Sequence, residues 1–394
     1  MKRKLLFVID SLNIGGAEKS LVSLLNLLDY KKFDVDLLMF STGGDLVPYL
    51  PQQVNILPVP NYFCYVTKGR NYKNEKIKLL YPKIKTSFLL RMNNYKKMPL
   101  HTEQVVFKSI YKIISPLTNI YDVAIAYSQG MPTYFVANKV TAYKKIAWIN
   151  TDYEKTKYNK DLDYESYKKI DSIVAVSQNT KDSITNVKSE YLNKVQIILD
   201  VVNPKMIERM AEEIQVNEFS EGQINILTVG RLVPVKSYDL AIEVAKLLKN
   251  SNYKFKWFFI GEGPERKTLE KLISSYDLNE HIVLLGKKLN PYPYMKNCDI
   301  YVQTSIKEGF GLTVCEAKIL KKPIVCTNFP TASEIISHNK DGLIVQYDAE
   351  SIYNGIKKFI DDFNYKQKML SNLKLELPYN SVDQIKNFHN IVEL

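Results

Sequence analysis

The chain is poor in the residues that carry metal or disulfide chemistry. Its four cysteines, Cys64, Cys298, Cys315 and Cys326, show no CxxC spacing. That excludes a standard zinc knuckle and offers no disulfide framework, so reduced, mostly buried thiols are expected. The four histidines, His101, His281, His338 and His389, are isolated and lack ligand spacing. No uninterrupted apolar run reaches about 20 residues, so no membrane-crossing helix is expected. The first apolar run stops at Asp10 with no small-residue cleavage site behind it. It reads as a buried strand and not as a leader, and a cytoplasmic protein is expected. There is neither a GxSxG elbow nor a Walker A loop, and no low-complexity segment or short repeat.

Acidic residues are also in short supply. The 394 residues carry a formal net charge of +12, which points to an anionic partner: nucleic acid, a membrane face or a phosphate-bearing substrate. The imbalance is concentrated. Lys68, Arg70, Lys73, Lys76, Lys78, Lys83, Lys85, Arg91, Lys96 and Lys97 face one acid, Glu75. The length implies two domains.

Hydrophobic periodicity supplies the organisation. Lys4–Asp10 is a strand, Asn13–Gly16 a glycine turn, and Leu21, Leu24, Leu25 and Leu28 recur at helical spacing before a second strand at Val35–Phe40. This strand–helix–strand opening predicts a parallel, doubly wound sheet. Further strands are expected at Val123–Ala126, Ile146–Ile149, Ile173–Val176 and Val195–Leu199. The basic, aromatic stretch 61–112 breaks the rhythm like an insertion. The pattern restarts at Asn225–Val229, with a helix over Tyr238–Leu248 and strands at Trp257–Ile260, Ile282–Leu284, Ile300–Gln303, Ile324–Cys326 and Leu343–Val345. The acidic stretch Glu208–Glu221 reads as a helix leading into the second half.

Three loops follow strands and carry groups suited to an anion. Gly15-Gly16-Ala17-Glu18 opens a helix, where free amides and the helix dipole favour a phosphate. Arg231 and Lys236 follow Gly230 at the end of a strand, where open α/β sheets bind ligands, and their charges suit a diphosphate. Glu308 and Glu316 flank the loop Gly309-Phe310-Gly311-Leu312, the first in a glycine loop and the second about one turn inside the next helix, so both can face one crevice.

In that order, Gly15-Gly16-Ala17-Glu18, Gly230-Arg231 with Lys236, Gly261-Glu262-Gly263-Pro264, and Glu308 with Glu316 resemble the motifs of family-4 retaining glycosyltransferases, the "group 1" family. The resemblance covers nearly the whole chain and is strongest from Asn225 to Val345. It implies a GT-B fold: two Rossmann-like, doubly wound α/β domains facing a cleft. An acceptor-binding domain would span 1–205, a nucleotide-sugar-binding domain 206–378, and a C-terminal helix in 379–394 would cross back. It further implies that Gly15 and Gly16 present amides to a donor diphosphate, and that Arg231 and Lys236 neutralise it as it leaves. Glu308 would hold hydroxyls of the transferred sugar, beside the backbone of Gly309, Phe310, Gly311 and Leu312. Glu316 would bind the ribose. No cofactor and no metal are implied, because protein cations stabilise the leaving group. Relatives carry Trp-Ile-His-x-Asp where this chain has Trp148-Ile149-Asn150-Thr151-Asp152. Asparagine hydrogen-bonds a hydroxyl but shuttles no proton, which leaves Asp152 as a possible substitute.

The expected activity is transfer of a hexose or N-acetylhexosamine from a UDP-sugar to a saccharide or polyprenyl-diphosphate-linked acceptor in bacterial surface polysaccharide synthesis, at the anionic inner face of the cytoplasmic membrane. The alternatives are a non-catalytic GT-B partner subunit, suggested by Asn150, and a nucleic-acid binder, suggested by charge and interleaved aromatics alone. No recognised nucleic-acid module accompanies that charge, so no such partner is expected. Asp34-Val35-Asp36 and Asp161-Leu162-Asp163 match a DxD metal motif, but neither has the loop context of a Mg²⁺–diphosphate site. Gly261-Glu262-Gly263 lacks the third glycine of a dinucleotide fingerprint, since position 266 is Arg.

Overall fold

The computed structural model describes residues 2–68, 76–375 and 381–393. Arg70, Tyr72, Lys73 and Glu75 of the basic stretch lie outside the described residues, as does the expected boundary at 378. Two compact units emerge, Met1–Val201 with Ser381–Leu394, and Val202–Asn380.

The first unit runs β1 (Arg3–Ile9), α1 (Gly16–Leu27), β2 (Phe33–Met39), β3 (Val54–Ile56), α2 (Asn61–Lys68), α3 (Lys76–Asn94), α4 (Thr102–Ile110), β4 (Ile120–Ala126), α5 (Met131–Lys139), β5 (Thr141–Ile149), α6 (Lys160–Tyr167), β6 (Ser172–Ala175), α7 (Gln178–Thr185) and β7 (Val195–Ile197). The strands form one sheet in the order β3-β2-β1-β4-β5-β6-β7, every pair parallel. Leu5, Leu6, Phe7 and Val8 are fully buried. That is why β1 reads as a continuous apolar run and not an alternating one: helices cover both faces of a parallel sheet. Strand β3 escaped the sequence reading because it is only three residues long and buries just Val54. The stretch 61–112 holds α2, α3 and α4 between β3 and β4.

Both DxD-like motifs have structural work in this unit. Asp36 is buried in β2 and accepts hydrogen bonds from Tyr121 Oη at 2.8 Å and Asn55 Nδ2 at 2.7 Å. Asp163 is buried in α6 and accepts from Gln104 Nε2 at 2.6 Å, Tyr153 Oη at 2.5 Å and the Tyr134 hydroxyl. It thereby joins α4, α5 and α6, while burial raises its pKa against the pull of those donors.

The second unit begins with α8 (Pro204–Met210), followed by β8 (Ile224–Val229), α9 (Tyr238–Asn250), β9 (Phe255–Ile260), α10 (Arg266–Ser275), β10 (Ile282–Gly286), α11 (Tyr292–Asn297), β11 (Ile300–Gln303), α12 (Leu312–Ile319), β12 (Ile324–Thr327), α13 (Ala332–Ile335), β13 (Leu343–Val345), α14 (Ala349–Asp361) and α15 (Phe363–Leu375). Helix α8 corrects the expectation of a helix over Glu208–Glu221. Asn203 caps it, with Oδ1 accepting from Met206 N at 3.2 Å, and it ends at Met210. The acids beyond it are drawn away by side-chain bonds. Glu213 accepts from Asn290 Nδ2 at 2.9 Å, and Glu218 from Tyr294 Oη at 2.6 Å and Lys288 Nζ at 3.1 Å. The sheet order is β10-β9-β8-β11-β12-β13, again all parallel.

The last helix, α16 (Ser381–Val392), belongs to the first unit. Phe388 is fully buried and stacks on Phe7 at 6.0 Å between ring centroids. Gln384 Oε1 accepts from Leu199 N at 2.9 Å. In each sheet the order reverses once, between β1 and β4 and between β8 and β11. Ligands of open α/β sheets bind outside the carboxyl ends of strands at such a reversal.

Candidate active site

In the second unit the loop after β8 is set by close backbone packing. Gly230 N donates to Ile260 O at 2.9 Å, Leu232 N to Glu262 O at 3.0 Å, and Glu265 N to Leu232 O at 3.1 Å. The loop after β9 therefore lies directly against it. A Cβ on Gly261, at φ +152°, would fall 1.8 Å from Gly230 O. A Cβ on Gly263 would fall 2.2 Å from Leu232 O. The Gly261-Glu262-Gly263 motif thus supports the Arg231 loop. Leu232 is buried and anchors this loop, while Arg231 stands exposed beside it. A single 3₁₀ turn, Pro234–Lys236, then carries Lys236 back across the end of the sheet.

The loop after β11 meets it there. Thr304 Oγ1 donates to Lys236 O at 2.9 Å and Ile306 N to Val235 O at 2.9 Å. Lys236 Nζ lies 2.6 Å from both Oε1 and Oε2 of Glu308. Ser305 Oγ at 2.6 Å and Gln303 Nε2 at 3.1 Å also donate to Glu308 Oε1. Gln303 is held in turn by Tyr301 Oη at 2.7 Å and Thr313 Oγ1 at 3.3 Å, both on its Oε1. The side chains of Lys236 and Glu308 are 16% and 10% exposed, so two opposite charges sit mostly out of water where the strand order reverses.

The chain from Glu308 to α12 turns through Gly311, at φ +100°, where a Cβ would lie 2.8 Å from Ile335 Cδ1. Phe310 is buried, and its carbonyl accepts from Thr331 Oγ1 at 3.0 Å. Gly309 and Leu312 flank these two residues and remain partly exposed. Glu316, in the second turn of α12, is buried and accepts from Tyr292 Oη at 2.8 Å. The donors Gln303, Ser305 and Tyr292 carried no signal in the sequence, because what matters is their contact with the two glutamates.

In the first unit the carboxyl ends of β1, β4 and β5 gather a second polar group. Gly15 precedes α1 in extended backbone, and a Cβ on it would lie 2.2 Å from Glu18 Oε2, so the Glu18 carboxylate folds over it. Gly16 is the first residue of α1. Asn150, at the end of β5, donates from Nδ2 to Tyr127 O at 2.8 Å and from its amide to Gln129 Oε1 at 3.3 Å. Its Oδ1 is buried with no hydrogen-bond partner among the described residues. Asp152 lies 3.7 Å from Lys155 Nζ through Oδ2. Asp10, just past β1, accepts from Ser128 Oγ at 2.9 Å. Burial first, and then the Glu103 and Glu18 charges, push its pKa up to about 7. Glu103 accepts from Met131 N at 2.9 Å and Tyr158 Oη at 3.1 Å. Asp10 was legible as a strand-ending residue before a glycine turn. Glu103, on α4, was not, because only the tertiary fold brings it there.

The structure thus brings Lys236 and Glu308 into direct contact, with Arg231 on the same loop as Lys236 and Glu316 on the helix that follows Glu308. It places Gly15, Gly16, Asn150 and Asp152 beyond the strand ends of the first unit.

Comparison with known proteins gives these groups a context. Residues 209–375 match the family model of glycosyl transferases group 1. The chain is 27% identical over 363 residues to a Campylobacter jejuni N-acetylgalactosamine-N,N'-diacetylbacillosaminyl-diphospho-undecaprenol 4-alpha-N-acetylgalactosaminyltransferase, covering 91% of each chain. A second C. jejuni enzyme, a GalNAc-alpha-(1->4)-GalNAc-alpha-(1->3)-diNAcBac-PP-undecaprenol alpha-1,4-N-acetyl-D-galactosaminyltransferase, is 23% identical over 97% of this chain and 96% of its own. Anabaena HepE in complex with UDP and glucose superposes with a TM-score of 0.70 at 16% identity over 99% of both chains. Residues 209–375 therefore resemble a group 1 glycosyltransferase domain, and the chain as a whole has the GT-B fold of two Rossmann-like domains.

Proposed function

We propose that the protein is a retaining glycosyltransferase that moves a hexose or N-acetylhexosamine from a UDP-sugar to a saccharide carried on a polyprenyl diphosphate, at an anionic membrane face, in bacterial surface polysaccharide synthesis. The observation that carries this reading is the Lys236–Glu308 contact at the strand-order reversal of the group 1 domain. Two relatives named as transferases acting on undecaprenol-linked saccharides supply the acceptor class, and a neighbour holding UDP and glucose supplies the donor class.

In this reading Arg231 and Lys236 bind the donor diphosphate, Glu316 holds the ribose and Glu308 the sugar hydroxyls. As the acceptor oxygen bonds to the anomeric carbon, the bond from that carbon to the diphosphate oxygen breaks. The two cations meet the charge that develops on the leaving UDP, in a partly desolvated site where such stabilisation is strong. The acceptor proton passes to the leaving phosphate on the same face, so the anomeric configuration is kept. No metal is needed for this chemistry.

The test is a UDP-sugar screen against a lipid-linked acceptor pool, with products read by mass spectrometry, the anomer read by NMR, and a parallel assay in EDTA. A glycosylated lipid of retained configuration is expected, at a rate indifferent to EDTA. An inverted product, or no product from any donor, overturns the reading. Asn150 in place of histidine favours a second reading, a non-catalytic partner subunit. In that case the same screen gives UDP-sugar binding without turnover.

A further inference from the structure

Helix α3 is apolar on the wrong side. Its inward face is well packed. Leu79, Pro82, Thr86 and Asn93 are buried, Thr86 Oγ1 pairs with Ser109 Oγ on α4 at 2.7 Å, and Asn93 bonds both N and O of Leu100 at 2.9 and 2.8 Å. The helix is therefore fixed in rotation. On its outer face stand Tyr81, Ile84, Phe88 and Met92, which are 72%, 59%, 60% and 49% exposed. At about 100° per residue these four fall within an arc of about 80°, on the side away from the buried set. Tyr95 extends the row beyond the helix. A surface helix ordinarily turns polar residues outward, and a contiguous apolar strip on a water-facing side marks an interaction surface.

The charges around the strip say what covers it. Lys78, Lys85, Arg91, Lys96 and Lys97 are all exposed beside it, and no acidic residue occurs from Lys76 to Leu100. Bulky apolar side chains flanked by uncompensated cations fit the boundary between acyl chains and anionic headgroups.

We propose that α3 is an interfacial helix lying in the plane of an anionic bilayer, with Tyr81, Ile84, Phe88 and Met92 entering the acyl boundary and the five cations meeting headgroups. This rests on the reading of a membrane-carried acceptor and deepens it. Attachment is apolar as well as electrostatic, and it belongs to one helix of the first unit.

Trp148 and Trp257 are the only tryptophans and both are buried, so Phe88→Trp places a reporter on the strip. With phosphatidylglycerol vesicles its emission should shift to the blue and be quenched by brominated acyl chains. With phosphatidylcholine vesicles the shift should be small. Ile84→Ser/Phe88→Ser should lower co-sedimentation with anionic vesicles at least about tenfold, yet keep turnover on a short water-soluble acceptor. Lys236→Gln should do the reverse, keeping vesicle binding and losing turnover, so failure of the docking helix and failure of the transferase reading are told apart. An unshifted emission, or unchanged binding of the double serine variant, overturns the proposal. So does a blue shift that needs no vesicles and follows a concentration-dependent dimer in sedimentation velocity, which would assign the strip to a second copy of the chain.

Discussion

The ammonium of Lys236 sits 2.6 Å from each carboxylate oxygen of Glu308. In the proposed reading these two groups serve different parts of one donor molecule, diphosphate and sugar, and here they pair with each other. In that reading a bound diphosphate would compete with Glu308 for the Lys236 ammonium. Ser305 and Gln303 also donate to the Glu308 carboxylate, so Lys236 is not its sole anchor.

Lys236→Ala should reduce turnover on the order of 10²-fold or more, the scale seen when one charge-stabilising group is removed from a transition state. Glu308 keeps its two other donors, so the loss should fall in kcat with the fold intact by circular dichroism. Initial rates of UDP release check this, and normal turnover would remove Lys236 from the diphosphate.

Asn150→His should leave turnover unchanged or raise it. The ring can donate to Tyr127 O as the amide does, and it adds a group able to move a proton. A collapse in kcat/KM would show that the amide, whose buried Oδ1 has no partner among the described residues, is fitted to this enzyme's own acceptor.

Asp200 gives a pH dependence with a definite sign. Its Oδ1 is buried without a partner among the described residues, and burial pushes its pKa from 3.8 to about 7. A carboxyl raised on folding stabilises fully below its unfolded pKa, and that contribution is lost as pH rises through the folded value. Asp200→Asn should therefore be more stable than the parent at pH 8. That advantage should exceed its value at pH 5 by about 2 kcal/mol or more. Denaturant melts at the two pH values check this, and a gain that shrinks toward pH 8 would contradict the sign.

Gly261→Ala should cost on the order of 2–3 kcal/mol and displace the Arg231 loop, because its Cβ would meet Gly230 O at 1.8 Å. Gly222→Ala is the control. Its φ is +77° but nothing among the described residues lies within 4 Å of an added Cβ, so only the backbone cost of about 1–2 kcal/mol applies. Equal melting temperatures for the two variants would show that the loops separate more easily than the packing implies.

The sequence by itself determined the doubly wound halves, because strands buried on both faces must be apolar throughout and the helices between them must carry one apolar face. It also pointed to Arg231, Lys236, Glu308 and Glu316, since the first three lie in the loops after β8 and β11 and the fourth in the second turn of α12, positions that element order makes readable. Tertiary structure decided the rest. Strand β3 is too short to announce itself, and the acids after Met210 left the helix for partners some 75 residues away in sequence, such as Asn290 and Tyr294. The donors that hold Glu308 and Glu316, the gathering of Asp10 with Glu103, and the outward turn of Phe88 depend on which surfaces meet. Local pattern fixes an element's own faces, but only packing against a neighbour decides which face is left to water.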